Sequence, residues 1–291
     1  MNRCGHCKSP MAEGKVRCGL CRRWGLPVDE AHPEAEGGQG HVSLGKVKAS
    51  ELARLSGFQG PVARAFDKAV SRFVRGGVYL FSGDPGAGKS TVTLQLVAGF
   101  DGRARIVLGE EMKEAVKERA NRLGLRQVGH VDVIETNDVD EVLDVDEPYQ
   151  LTIIDSLDAL GDAEVGGTPG TAHQKSAVLH KLEKYARVTK ETLVVLSHVN
   201  KQGEYAGGMD LSHLVTATLH FEKTDEVLRT LKASKNRGGP ITHVNALGEL
   251  DGSAAFRMTE LGLEVAGSRA ENTRSRIAAR AAAAGRKETR S

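Results

Sequence analysis

The sequence predicts an α/β fold: a mostly parallel central sheet flanked by helices, preceded by a small four-cysteine zinc ribbon. Three observations carry this. Short apolar runs such as Val78–Phe81, Ile106–Leu108, Leu151–Ile154 and Thr192–Leu196 alternate with helical patterns, as in sheets covered on both faces. Residues 83–91, GDPGAGKST, match the phosphate-loop pattern G-x-x-x-x-G-K-[ST] between a strand pattern and a helix pattern. All four cysteines fall in the first 21 residues as two C-x-x-C pairs.

Taken in chain order, Cys4, Cys7, Cys18 and Cys21 have the spacing of a tetrahedral thiolate site, so residues 1–25 are expected to hold structural Zn²⁺ with no open coordination position. His6, inside the first pair, is an alternative ligand with poorer spacing. Residues 26–47, rich in Gly, Glu and His, read as a flexible linker, and 48–267 as the main domain. Within it HVSLGKVKA suggests an extended segment and SELARLSG a short helix or approach strand.

The phosphate loop has a mechanical reading. Gly83, Gly86 and Gly88 lack β-carbons, so backbone N–H groups converge on phosphate oxygens at the positive end of the helix opening at Lys89. Asp84, Pro85 and Ala87 complete the loop. Lys89 is placed for the β- and γ-phosphates, Ser90 for Mg²⁺, and Thr91 continues the helix. The expected ligand is a nucleoside triphosphate, ATP, with Mg²⁺.

After helix 89–98, the strand at 106–108 runs into Gly109-Glu110-Glu111, followed by the helical MKEAVKERANRLGL and a short strand, VDVIET, at 131–136. Asp155 ends the buried strand LTIID and is placed to hold Mg²⁺. Glu110 and Glu111 are both candidates to orient or deprotonate an attacking water, and sequence does not choose between them. TAHQKSAVLHKLEKYARVTK reads as a long amphipathic helix. His198 closes the strand TLVVLSH, either as a γ-phosphate sensor or as a structural residue. Ligands of such sheets gather at the carboxyl ends of the strands, where all these polar candidates are expected. TATLHFEK and EVLRTLKAS suggest a hairpin near the sheet edge, leading into ASKNRGG. There Lys235 and Arg237 alternate with Asn236, so both can project to one side and neutralise phosphoryl charge.

Charge is unevenly laid out. Residues 1–25 carry six Lys/Arg against Glu13, and 268–291 seven against Glu271 and Glu288, a net +5 at each end. With +2 for the whole chain, the middle carries −8. Basic ends suit polyanions, or are solvated tails. The Ala/Arg-rich 268–291 cannot build a core of its own. No run of about 18 apolar residues indicates a membrane span, and the amino terminus has no apolar signal region, so the cytoplasm is the expected compartment.

The order GDPGAGKST, LGEEM with ERANRLGL, LTIIDS, TPGTAHQ, LSHVNKQGEYAGG and SKNRGG resembles the bacterial RadA (Sms) family of recombination ATPases, in the RecA/DnaB-like class, from the cysteine ribbon to about Glu264. The resemblance implies a RecA-like ATPase core forming a hexameric ring, with ATP at subunit boundaries and Lys235 and Arg237 supplied in trans. It implies that segments 161–174 and 201–213 face the channel and contact single-stranded DNA. It further implies DNA-dependent ATP hydrolysis driving branch migration, with a recombinase or other DNA-processing protein as partner. A DnaB-like replicative helicase and a clock-type, ATP-controlled assembly protein are the alternatives. Two departures stand out: Gly238 replaces the aromatic of the family's K-N-R-F-G, and the chain stops where the family continues into a Lon-protease-like domain.

Overall fold

A computed structural model describes residues 53–126, 128–198, 211–239 and 253–266, with the short pieces 3–4, 18, 27–28, 241, 243–244 and 250–251. The expected linker, the Ala/Arg tail and the extended segment at 41–49 lie outside the described residues except at 27–28. So does most of the expected zinc ribbon. Of it, Arg3–Cys4 pairs antiparallel with Pro27–Val28, and the Cys18 side chain is buried. The side chains of Cys4, Cys7 and Cys21 lie outside the described residues.

The core is a nine-stranded sheet. In chain order its elements are α1 (Gly60–Ala69), β1 (Val78–Gly83), α2 (Lys89–Ala98), β2 (Ala104–Leu108), α3 (Lys113–Arg122), β3 (Val131–Glu135), α4 (Val139–Leu143) and β4 (Leu151–Asp155). Then come α5 (Ala172–Thr189), β5 (Thr192–Leu196), a 3₁₀ turn (Leu211–Leu214), β6 (Ala217–Lys223), β7 (Leu228–Asn236), β8 (Ser253–Thr259) and β9 (Gly262–Val265). The strand order is β9-β8-β7-β6-β1-β5-β4-β2-β3. From β3 to β6 the pairings are parallel; β7, β8 and β9 add antiparallel strands beyond β6.

The uninterrupted apolar strands follow from this layering. All six residues of β1 are buried, with Tyr79 and Phe81 entering one core layer and Val78 and Leu80 the other. The first layer packs α1, α2 and α3 on the sheet, the second α4 and α5. All seven phenylalanines pack in the first layer, with Phe66, Phe81, Phe221 and Phe256 forming a run of rings 5.4–6.1 Å apart.

Two expectations are revised. The described part of SELARLSG is neither helix nor continuous strand: from Ala53 it makes one isolated bridge, Arg54 to Val74, and Phe58, just beyond it, makes another to Phe100. A helix follows at Gly60, where Pro61 fixes the first-turn backbone and Val62, Ala63, Phe66 and Ala69 are buried. The β6–β7 hairpin exists but is not at the edge, because β8 and β9 cover β7. Among the described residues no helix is long and apolar enough to cross a membrane.

Candidate functional site

The phosphate loop leaves β1 at Gly83, whose backbone runs so close to β6 that a β-carbon there would lie 1.9 Å from the Phe221 carbonyl oxygen. Asp84, Pro85 and Gly86 are exposed, and the Ala87 N–H donates to the Asp84 carbonyl at 3.2 Å. Gly86 and Gly88 take left-handed φ angles of +72° and +98°. Gly88 caps α2, whose first-turn N–H groups have no partners within the helix. Lys89 Nζ donates to the carbonyls of Gly83 (2.8 Å) and Asp84 (3.0 Å), which holds the ammonium on the loop. Burial pushes its pKa down, and the charges of Asp155, Asp84 and Asp158 work against that shift. Ser90 and Thr91 are half-buried in the first turn. A cradle of glycines, a helix amino end and a cation fit a triphosphate.

Asp155 ends β4 two strands away. Burial raises its pKa most; a hydrogen bond with Ser90 lowers it, Glu111 and Glu110 raise it further, and Arg119 lowers it. An acid joined to Ser90, beside two more carboxylates, is a place where a divalent cation relieves repulsion, so Ser90 and Asp155 fit Mg²⁺. Mg²⁺ takes few protein ligands when phosphates supply the rest. Among the described residues there is no group of three or more His, Cys, Asp or Glu able to hold a metal.

The two glutamates have different partners. Ser156 Oγ donates to Glu110 at 2.8 Å, while Arg119 grips both oxygens of Glu111, with Nη1 to Oε2 at 2.9 Å. Glu111, Arg119, Ser90 and Asp155 line one small cavity. His198 sits at the end of β5 with an exposed side chain, its N–H donating to Asp158 at 2.9 Å. Asp158 is in turn paired with the buried Lys175. Glu110, Glu111, Asp155 and His198 thus lie at carboxyl strand ends, as expected.

Lys235 and Arg237 stand at the carboxyl end of β7, but that strand runs antiparallel to β6, so they lie at the opposite end of the sheet from the phosphate loop. β6 runs parallel to β1, with Tyr79 opposite Ala217 and Gly83 opposite Phe221, and β7 returns antiparallel, with Asn236 opposite Ala217. The reversal carries both cations to the amino end of β1, roughly 13 Å along the strand from Gly83. There Lys235 donates to the Ser212 carbonyl and Arg237 to that of His213, at 2.9 Å for the latter. Asn236 ties the segment down through Val70 O (2.8 Å) and the Gly238 N–H (2.9 Å). A β-carbon at Gly238 would lie 3.2 Å from Val74.

Segment 161–174 is organised by Gln174, which accepts from the Asp162 N–H (2.8 Å) and donates to the carbonyls of Asp162 (3.2 Å) and Val165 (2.6 Å). It contains Asp162 and Glu164 and no Lys or Arg; Lys181 pairs with both acids. Residues 201–210 lie outside the described residues. Sequence reasoning missed Arg119, Ser156, Asp158, Lys175 and Arg229, and gave Asn236 no role. Only Arg119 had a usable signal, one helix after Glu111.

No family model matches the chain. Proteins named DNA repair protein RadA are similar to it over most of its length. That of Mycobacterium tuberculosis is 33% identical over 257 residues, covering 83% of this chain and 53% of the relative. That of Halalkalibacterium halodurans is 30% identical over 275 residues, covering 90% and 58%, and that of Haemophilus influenzae 28% identical over 275, covering 89% and 58%. A solved KaiC-like protein of Pyrococcus horikoshii OT3 superposes with a TM-score of 0.54 at 16% identity, covering 74% of this chain and 100% of that one, which shows the fold. The chain is therefore an α/β protein with the fold of that KaiC-like protein, similar over most of its length to proteins named RadA, and it spans about half the length of those relatives.

Proposed function

We propose that this chain is an ATP-driven motor of DNA repair and recombination, hydrolysing ATP on single-stranded DNA as a ring of identical subunits. The observation that supports it is the placement of Lys235 and Arg237: held at the far end of β1, they are distant from their own phosphate loop, as a site completed by a neighbouring subunit would require. The motif order and the relatives' printed name support the DNA-repair setting.

In the reaction, the oxygen of water bonds to the γ-phosphorus as the bond to the bridging oxygen breaks. The electron pair leaves on ADP, and the water proton ends on the phosphate product. Lys89 and the α2 amino end bind the phosphates, and the trans cations offset charge on the transferred group. Mg²⁺, held by Ser90 and Asp155, would neutralise the β- and γ-oxygens. Zn²⁺ would be held by Cys4, Cys7, Cys18 and Cys21, and the channel contacts with DNA would come from 201–213.

ATPase assays with and without single-stranded DNA test this, with stimulation expected. Arg237→Ala should keep nucleotide binding and lose turnover, Lys89→Ala should lose binding, and mixing the two should restore part of the activity. Failure of rescue sinks the shared site. A second reading, an ATP-controlled assembly protein without motor activity, is favoured by the acidic 161–174 segment, which offers a polyanion no cation. Slow, DNA-indifferent turnover would point there.

A further inference from the structure

The turn after β2 carries Glu110 and Glu111, whose charges both act on Asp155, and Glu111 shares a small cavity with it. Arg119 is the cation set among them. It lies on α3 three residues beyond the buried Val116, so both face the sheet, and both line the cavity shared with Ser90, Glu111 and Asp155. Its side chain is 20% exposed and that of Glu111 35%, so the pair is partly withdrawn from bulk water.

A guanidinium bound to both carboxylate oxygens fixes the carboxylate's rotation as well as its place, which a single contact does not. Glu111 needs such a constraint, because it stands between Leu108, the end of β2, and Lys113, the start of α3, in backbone that neither element holds. Glu110 is exposed and held by one hydroxyl, that of Ser156. The water that attacks a γ-phosphate is oriented more than deprotonated, a task that a carboxylate held by Arg can perform.

We propose that Arg119 is a positioning residue for hydrolysis, fixing the Glu111 carboxylate beside Ser90 and Asp155, where it orients the attacking water. The inference rests on the ATPase reading above. It makes Glu111, rather than Glu110, the water-orienting acid, and gives Arg119 no contact with ATP.

The test uses the full chain and measures three things: steady-state ATPase, affinity for a fluorescent ADP analogue with and without Mg²⁺, and thermal melting. Arg119→Ala should lower kcat by about tenfold to a hundredfold, as loss of an orienting partner does. KM and ADP-analogue affinity should stay within about threefold of wild type. Arg119→Lys should recover part of kcat, since an ammonium reaches one oxygen at a time. Glu111→Gln combined with Arg119→Ala should be no slower than Glu111→Gln alone, because both changes remove one function.

A kcat for Arg119→Ala within about threefold of wild type overturns the inference. So does a double variant slowed by the product of the single effects, or a loss of kcat matched by an equal loss of ADP-analogue affinity and a collapsed melting transition. If Arg119→Ala does not fold, Arg119→Gln, of similar length and uncharged, is read by the same criteria. Absence of ATP hydrolysis by the wild-type chain overturns the ATPase reading and this inference together; hydrolysis indifferent to Arg119 overturns this inference alone.

Discussion

Arg229, buried on β7, donates from Nε to the carbonyl oxygen of Ala87 inside the phosphate loop at 3.1 Å. Its Nη1 also reaches the carbonyls of Asp225 (2.8 Å) and Leu228 (3.0 Å), so one guanidinium ties the β6–β7 turn to the loop. Arg229→Met keeps most of the volume and removes every donor, leaving carbonyls unsatisfied at a cost of about 1–3 kcal/mol. The melting temperature should fall, and nucleotide affinity should fall with it because the loop loses an anchor. Thermal melts and a nucleotide titration check this; unchanged affinity would show that the loop holds its shape unaided.

Two glycines of the same loop should respond differently to alanine. At Gly83 the new methyl would meet the Phe221 backbone, which cannot step aside without parting β1 from β6. At Gly86 nothing lies within 4 Å, and only the φ of +72° is unfavourable, at about 1–2 kcal/mol. Gly83→Ala should therefore shift the urea midpoint by clearly more than Gly86→Ala. Equal shifts would mean that β6 is not held against the loop as described.

Asp67 on α1 accepts the Phe73 N–H at 2.8 Å, and burial is the main reason its pKa stands above 3.8, against the lowering effects of that bond and of Arg72 and Arg54. A carboxyl whose pKa is raised on folding stabilises most below its unfolded value, and that stability is lost as pH rises through the folded value. Asp67→Asn keeps the acceptor and removes the titration. The wild type should lose stability relative to Asp67→Asn as pH climbs above 3.8, until the difference levels off. Urea midpoints of both proteins between about pH 3.5 and 7 would show it, and a gap independent of pH would contradict it.

What the sequence made legible follows from how tightly each element is constrained. The phosphate loop tolerates little variation in spacing, so α2 begins at Lys89 as expected, and strands buried on both faces announce themselves as apolar runs. Asp155 was readable because it ends such a run. Helix α1 was not read, although Val62, Ala63, Phe66 and Ala69 repeat at helical spacing, because Gly60-Pro61 at its start resembles a turn. Strands β8 and β9 escaped because their pairing, not their composition, makes them strands. The end of the sheet reached by Lys235 and Arg237 depends on β6 lying parallel to β1, a long-range fact that no local pattern encodes. Arg119 was in plain view in ERANRLGL, but its partner lies eight residues back across a turn, a spacing that matches no helical contact.

The one-sided distribution of phenylalanine has an experimental consequence. Fluorine-labelled phenylalanine would place all seven reporters in the layer that packs α1, α2 and α3, and none against α5. Nucleotide arriving at α2 would register in that spectrum, whereas movement confined to α5 would pass unseen. For the α5 side the natural probe is Tyr185, fully buried there and hydrogen-bonded to Glu191 at 2.6 Å. Labels of two kinds would let the two faces of one sheet be followed separately in the same sample.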